Sequence, residues 1–287
     1  MPAPATSYSD DLELLRSAAV AAGIIASSYF RRDVKSWTKE NASPVSEADI
    51  LVDRYLASAL LQARPDYGWL SEETVDNPSR LDCERVFIID PIDGTSGFLR
   101  GQDSWTVSLA VVENGVPVAG VVYAPARDEM YDATRGQGAR LNGRPIHRSR
   151  RAGAAPVIPA AGAVHQQLQA AGLYYTRGPY YPSLAYRLVQ VATGRLDAVA
   201  SRRGSQDWDI AAACLVLDEC GLDVADVCAG FPQFNRRDVR HGALAAVGDM
   251  SLKPHLHAAL IKVYGCPAAE TGDADLPIPK HTDLTDG

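Results

Sequence analysis

The densest chemistry in this chain lies in Asp90-Pro91-Ile92-Asp93-Gly94-Thr95. A short apolar run, Val86–Ile89, delivers Asp90 to its end. Gly94 permits a backbone angle closed to most residues, so Asp90 and Asp93 can converge on one point. Two carboxylates that close repel unless a cation stands between them. With no His or Cys in the segment, oxygen ligands favour a hard ion, Mg²⁺ over Zn²⁺. Gly94-Thr95-Ser96-Gly97 adds backbone N–H groups suited to an oxyanion such as phosphate. The same residue types also make ordinary surface turns, so the segment is weighed with its company.

Three more acidic positions are similarly placed. Glu72 and Glu73 follow Trp69-Leu70-Ser71, a second apolar segment ending in acids. Asp49 falls in the first turn of a helix that Ser46 opens, with the spacing of a capping box. Asp209 opens a helix within Trp208-Asp209-Ile210-Ala211. Singly, each has a bland role: a cap, a solvated acid, a partner for the helix dipole. Gly136-Gln137-Gly138 lacks a third glycine and is no dinucleotide loop, and His255 and His257 suggest packing rather than metal binding.

The elements that must position these acids can be read along the chain. Asp10 or Asp11 is expected to cap a first helix, in which Leu12, Leu15, Ala19, Ala22, Ala26 and Tyr29 recur at helical spacing. Val52, Tyr55, Leu56, Ala59, Leu60 and Ala63 line a second. Trp105, Val107, Leu109 and Val111 follow strand period, and Asn114-Gly115 and Asn142-Gly143 mark tight hairpins. Consecutive hairpins predict an antiparallel sheet with the two early helices on one face. Arg148, Arg150 and Arg151 open an Ala-, Gly- and Pro-rich junction, read as a solvated link. Beyond it come a helix near 183–193, a strand near 196–200 and a helix from Asp207 to Gly221. The expected division is an N-terminal half over 8–147, a C-terminal half over 148–265 and a mobile tail over 266–287.

Bulk properties narrow the partners. The chain has 287 residues, 46% hydrophobic and 22% charged, with a net charge of −7. Such a balance suits a soluble globular protein and disfavours a nucleic-acid polymer or an anionic membrane surface as partner. Five cysteines without a C-x-x-C pair suggest reduced thiols and a cytoplasmic protein. No segment is long and apolar enough to span a bilayer. The expected assembly is a monomer or homodimer.

Taken together, Pro44-Val45-Ser46-Glu47-Ala48-Asp49, Ser71-Glu72-Glu73, Asp90–Thr95 and Trp208-Asp209 resemble, in order and spacing, the motifs of the inositol monophosphatase superfamily. The similarity covers most of residues 10–260. It implies an α/β (α+β) fold, a layered αβαβα sandwich, and a phosphoric monoester hydrolase acting on a small phosphorylated metabolite. It implies that Glu72, Asp90 and the Ile92 carbonyl hold one Mg²⁺ and that Asp90, Asp93 and Asp209 hold another. Glu73 offers an additional metal contact for a third. Thr95 with Asp49 would orient and help deprotonate the attacking water, with Lys39 near it. The N–H groups of Gly94 and Thr95, with Ser96, would receive the phosphate. Two ions roughly 3.5–4 Å apart can stabilise attacking and leaving oxygens together.

Ser71-Glu72-Glu73 resembles the 3′(2′),5′-bisphosphate nucleotidase branch more than the inositol monophosphatases, which more often carry Gly-Glu-Glu. The expected reaction is therefore hydrolysis of adenosine 3′(2′),5′-bisphosphate to AMP and phosphate. Inositol 1-phosphate, histidinol phosphate or a sugar phosphate is the alternative substrate. Arg203, with Arg202, could hold a second phosphate. Tyr180-Tyr181-Pro182-Ser183 departs from the family's Gly-Ser pattern in the segment that shapes the substrate pocket, and its tyrosines could stack on a base or simply pack. Two rivals remain. A haloacid-dehalogenase phosphatase would need Asp-x-Asp, whereas Asp90 and Asp93 are three apart. A non-catalytic metal- or nucleotide-binding module would be expected to have lost a ligand.

Overall fold

The computed structural model describes residues 7–39, 43–148 and 154–266. In chain order the elements are α1 (Tyr8–Tyr29), β1 (Ser36–Thr38), β2 (Pro44–Ser46), α2 (Glu47–Ala63), β3 (Gly68–Ser71), β4 (Arg85–Asp93), α3 (Thr95–Leu99), β5 (Thr106–Glu113), β6 (Val116–Ala124), β7 (Glu129–Thr134), β8 (Ala139–Leu141) and β9 (Arg144–Pro145). There follow β10 (Val157–Ile158), α4 (Gly162–Ala170), β11 (Thr176–Arg177), α5 (Leu184–Ala192), β12 (Ala198–Ala200), α6 (Asp207–Glu219), β13 (Asp223–Asp226), β14 (Leu244–Val247) and α7 (Lys253–Tyr264).

Strands β3 to β9 form one sheet in sequential order, antiparallel except for the parallel edge pair β3–β4. Asn114 and Asn142 both adopt positive φ, each followed by a positive-φ glycine, as the two hairpins require. Side-chain alternation splits this sheet between two cores. Phe87, Ile89, Val107, Leu109 and Val111 face α1 and α2, whereas Val86, Ile88, Ala110 and Val112 face α5 and α6. Strands β12, β14 and β13 form a second antiparallel sheet, covered on its far side by α4 and α7. The order is helix pair, sheet, helix pair, sheet, helix pair: the expected αβαβα sandwich. One core, from Leu70 through Leu217 to Ala246, crosses the expected junction at 148.

Several local expectations need correction. Ser7, not Asp10 or Asp11, caps α1; Asp10 completes a capping box with it. Asp11 is instead buried, accepting from Arg64 Nε and Tyr67 Oη at 2.9 Å and Arg85 Nη1 at 3.1 Å. Ala63 is exposed at the end of α2. The thiols are not all reduced: Cys228 and Cys266 form a disulfide, while Cys83, Cys214 and Cys220 are free. Arg148 is no solvated link, because its Nη2 donates to Asp197 Oδ1 at 3.0 Å. Arg150, Arg151 and the tail over 267–287 lie outside the described residues. No helix among the described residues is long and apolar enough to cross a membrane.

Candidate metal and phosphate site

The acids are brought together by an interrupted strand. In a regular strand, residues three apart point to opposite faces. Pairing of β4 with β5 runs in register through Asp90↔Ser108, breaks, and resumes at Asp93↔Thr106. Pro91, which has no N–H to give a ladder, sits in that break. The irregularity turns Asp90 and Asp93 toward one point, so the segment is a bulged strand end rather than a surface turn. Ile92 N–H donates to Asp90 Oδ1 at 3.1 Å and holds the carboxylate in place.

Gly94 then ends the strand with φ of 91° and caps α3. A Cβ there would stand 2.8 Å from Ser183 N, so both the angle and the space demand glycine. The N–H groups that open α3, on Thr95 and Ser96, have no acceptor within the helix. Thr95 Oγ1 lies 3.0 Å from Asp49 Oδ1 and 3.0 Å from the Ile92 carbonyl. Asp49 Oδ2 accepts from Ser46 N at 2.8 Å and Ser46 Oγ at 2.6 Å. Its capping role and its contact with Thr95 therefore coexist.

Asp209 arrives from the first turn of α6, where its Oδ2 takes the Gln206 N–H at 2.6 Å. Two contacts fix that turn. Ser108 Oγ donates to the Trp208 carbonyl at 3.2 Å, and buried Asp207 meets His241 Nε2 at 2.7 Å. The result is that carboxylate oxygens of Asp90, Asp93 and Asp209 all lie within 4.8 Å of one another. Burial, then the charges of Glu72, Asp93, Asp209 and Asp49, hold the Asp90 carboxyl well above the usual range. Burial and Asp93 do the same to Asp209. Burial lifts Asp93 to about 6 against its hydrogen bonds, and lifts Asp49 to about 6 against those from Ser46 and Thr95. Such a cluster binds either protons or cations.

Glu72 stands at the rim, near enough to repel Asp90, with its carboxylate turned to Lys39. Lys39 Nζ donates to Glu72 Oε1 at 3.0 Å and to Glu73 Oε1 at 2.7 Å. Burial opposes the ammonium, but Glu72 and Glu73 together keep its pKa raised. Burial lifts Glu73 to about 7 despite Lys39. Trp37, Val45 and Val75 share this cleft.

Arg203 does not join the site. Its Nη1 donates to the Tyr264 carbonyl, at the end of α7, at 3.2 Å. Of the residues missed in the sequence, Ser183 joins it and Arg187 stands beside it. Ser183 Oγ donates to Asp93 Oδ2 at 2.5 Å, and the Ala185 N–H reaches the same oxygen at 2.8 Å. Arg187, buried one turn further along α5, feels the charges of Asp93 and Asp209. The signal for Ser183 was its place before a helical run; for Arg187, a lone cation among apolar neighbours in Leu184–Ala192.

Several known proteins are similar to this chain. The inositol-1-monophosphatase of Mesorhizobium japonicum is 34% identical over 196 residues, 65% of this chain and 73% of that protein. The histidinol-phosphatase of Chlorobaculum parvum is 34% identical over 224 residues, 74% of this chain and 83% of that one. The crystal structure of extragenic suppressor protein SuhB from Bartonella henselae is 30% identical with a TM-score of 0.74, covering 87% of this chain and 98% of that chain. The family model for the inositol monophosphatases matches residues 8–264, which span all four motifs and both sheets. The chain belongs to the inositol monophosphatase family.

Proposed function

We propose that this protein is a magnesium-dependent phosphomonoesterase for a small phosphorylated alcohol. The observation that carries the reading is the convergence of Asp90, Asp93 and Asp209 within 4.8 Å. The donor set is all oxygen, which suits Mg²⁺. Asp90, Asp93 and Asp209 would hold the metal, with Glu72, the Ile92 carbonyl and Glu73 available for further contacts. Bound there, divalent cations supply Lewis-acid stabilisation of charge on the phosphoryl oxygens and a more acidic water.

The chain's own groups do the rest. Asp49, its carboxyl lifted to about 6 by burial and joined to Thr95, can take a proton from an attacking water through or beside the Thr95 hydroxyl. The N–H groups at the opening of α3, from Gly94 to Ser96, orient the phosphoryl group. Lys39 balances Glu72 and Glu73 beside it.

Regarding substrate, the relatives' names support inositol 1-phosphate and histidinol phosphate ahead of a nucleotide bisphosphate. The Ser71 resemblance supports the nucleotide, whereas Arg203, bonded to the Tyr264 carbonyl, lends it no support. The test is phosphate release with Mg²⁺ from inositol 1-phosphate, histidinol phosphate, adenosine 3′,5′-bisphosphate and fructose 1,6-bisphosphate. Metal-dependent release from at least one is expected. No release from any, or a phospho-aspartate trapped at Asp90, would overturn the reading.

A further inference from the structure

Arg187 is a buried cation without a committed partner. It is 8% exposed, on a helix whose every residue is buried. Among the described residues its one hydrogen bond runs from Nε to the Ser183 carbonyl, at 3.4 Å. Its remaining nitrogens are not sealed from solvent. Asp93 and Asp209 attract it, but among the described residues neither forms a hydrogen bond or ion pair with it. Asp93 accepts from Ser183 Oγ, Leu184 N and Ala185 N, and Asp209 accepts from Gln206 N.

Burial opposes the charge, and Arg202 adds repulsion. A guanidinium does not escape by losing its proton. A fixed positive charge with open, forked donors is therefore held beside the acidic cluster. The Tyr180 ring covers it, with Arg187 Cζ 4.7 Å from the ring centroid. Tyr180 is itself 70% exposed, so this roof faces solvent.

A planar fork matches a carboxylate or a phosphate. The phosphoryl group undergoing hydrolysis already has partners at the carboxylates and the opening of α3. Arg187 lies one turn into α5, the helix whose first N–H groups, on Leu184 and Ala185, donate to Asp93. We propose that Arg187, roofed by Tyr180, receives a second anionic group, carboxylate or phosphate, on the alcohol portion of the substrate. This rests on the phosphomonoesterase reading for the presence of a phosphoryl group next door.

The test compares matched pairs. 3-Phosphoglycerate against glycerol 1-phosphate reads a carboxylate; adenosine 3′,5′-bisphosphate against adenosine 3′-monophosphate reads a second phosphate. In the parent, the anionic member of at least one pair should have a KM lower by about ten- to a hundredfold, the scale of a charged hydrogen bond. Arg187→Gln should erase that preference while leaving kcat on the plain member within about twofold. Arg187→Lys should keep part of it, and Tyr180→Leu, at an exposed position, should weaken it without disturbing the fold. Calorimetry with Ca²⁺ and the same four compounds reads the preference without turnover. Failure of the subsite is therefore distinguishable from failure of the phosphomonoesterase reading. Equal affinity for both members of each pair in the parent would overturn the inference. So would a loss of kcat in Arg187→Gln shared equally by all four compounds, which would assign Arg187 to the reacting phosphoryl group.

Discussion

The Thr95 hydroxyl and the Asp49 carboxylate meet at 3.0 Å, tying the helix that follows the bulged strand to the first turn of α2. Thr95 has one hydroxyl proton and two acceptors in reach, Asp49 Oδ1 and the Ile92 carbonyl. Giving the proton to Asp49 leaves an oxygen lone pair for an incoming water. Thr95→Ala should therefore lower kcat by about 10²-fold, the scale of general acid–base assistance. Mg²⁺ affinity should change little, because Asp90, Asp93 and Asp209 are untouched. Titration of Mg²⁺ by calorimetry checks this; a large loss of binding would show that Thr95 supports the metal instead.

Asp93 faces the opposite expectation. Asp93→Asn keeps the shape and at least one acceptor for the Ser183 and Ala185 bonds but removes a charge from the cluster. Mg²⁺-dependent turnover should fall on the order of 10³-fold, about 4 kcal/mol of transition-state stabilisation. The metal-free variant should melt at or above its parent at pH 8, since like charges packed together are relieved. Full activity in this variant would refute the assignment of Asp93 as a metal ligand.

Much of this was legible in the residues because it is local. The two early helices, the antiparallel sheet and the hairpins at Asn114 and Asn142 follow from period, turn chemistry and apolar runs, and the αβαβα order from the family resemblance that the four motifs carry. What escaped depends on partners distant in sequence. Ser183 reaches Asp93 across 90 residues, and Asp207 meets His241 across 34. Arg203 is equivalent to Arg202 in the sequence, yet it bonds the Tyr264 carbonyl, 61 residues away. The convergence of Asp90 and Asp93 was expected from a turn; a break in strand register produces it. The disulfide between Cys228 and Cys266 joins residues 38 apart with no spacing signal.

Ser183 is a hinge between stability and metal binding. Its Oγ accepts from Tyr186 N at 2.8 Å as the cap of α5, and also contacts Asp93 and Thr106. Ser183→Ala should cost about 1–2 kcal/mol from the lost cap. It should also weaken Mg²⁺ binding by about 10–100-fold, the usual effect of freeing a ligand from its outer partner. Denaturant unfolding without metal isolates the first effect, and Mg²⁺ titration the second. A stability loss with unchanged affinity would make Ser183 a cap and nothing more.

The acidic cluster also fixes the sign of a pH effect. Unfolded aspartates titrate near 4. In the fold Asp93 and Asp49 are lifted to about 6, chiefly by burial, and Asp90 and Asp209 stand well above the usual range. Without metal, the native chain thus retains protons that the unfolded chain has released. The stabilisation from these groups is full below the unfolded values and is lost as pH rises through the folded ones. Glu113, held down by its bonds to Tyr8 and Arg85 against burial, works the other way at lower pH, so total stability alone is a poor readout. The difference made by metal is cleaner, since Mg²⁺ must displace those protons. Saturating Mg²⁺ should raise Tm by several degrees, ~5 °C, at pH 8 and by about nothing at pH 5. Asp93→Asn should shrink the gain at pH 8. Equal gains at the two pH values would mean that magnesium binds somewhere other than these carboxylates.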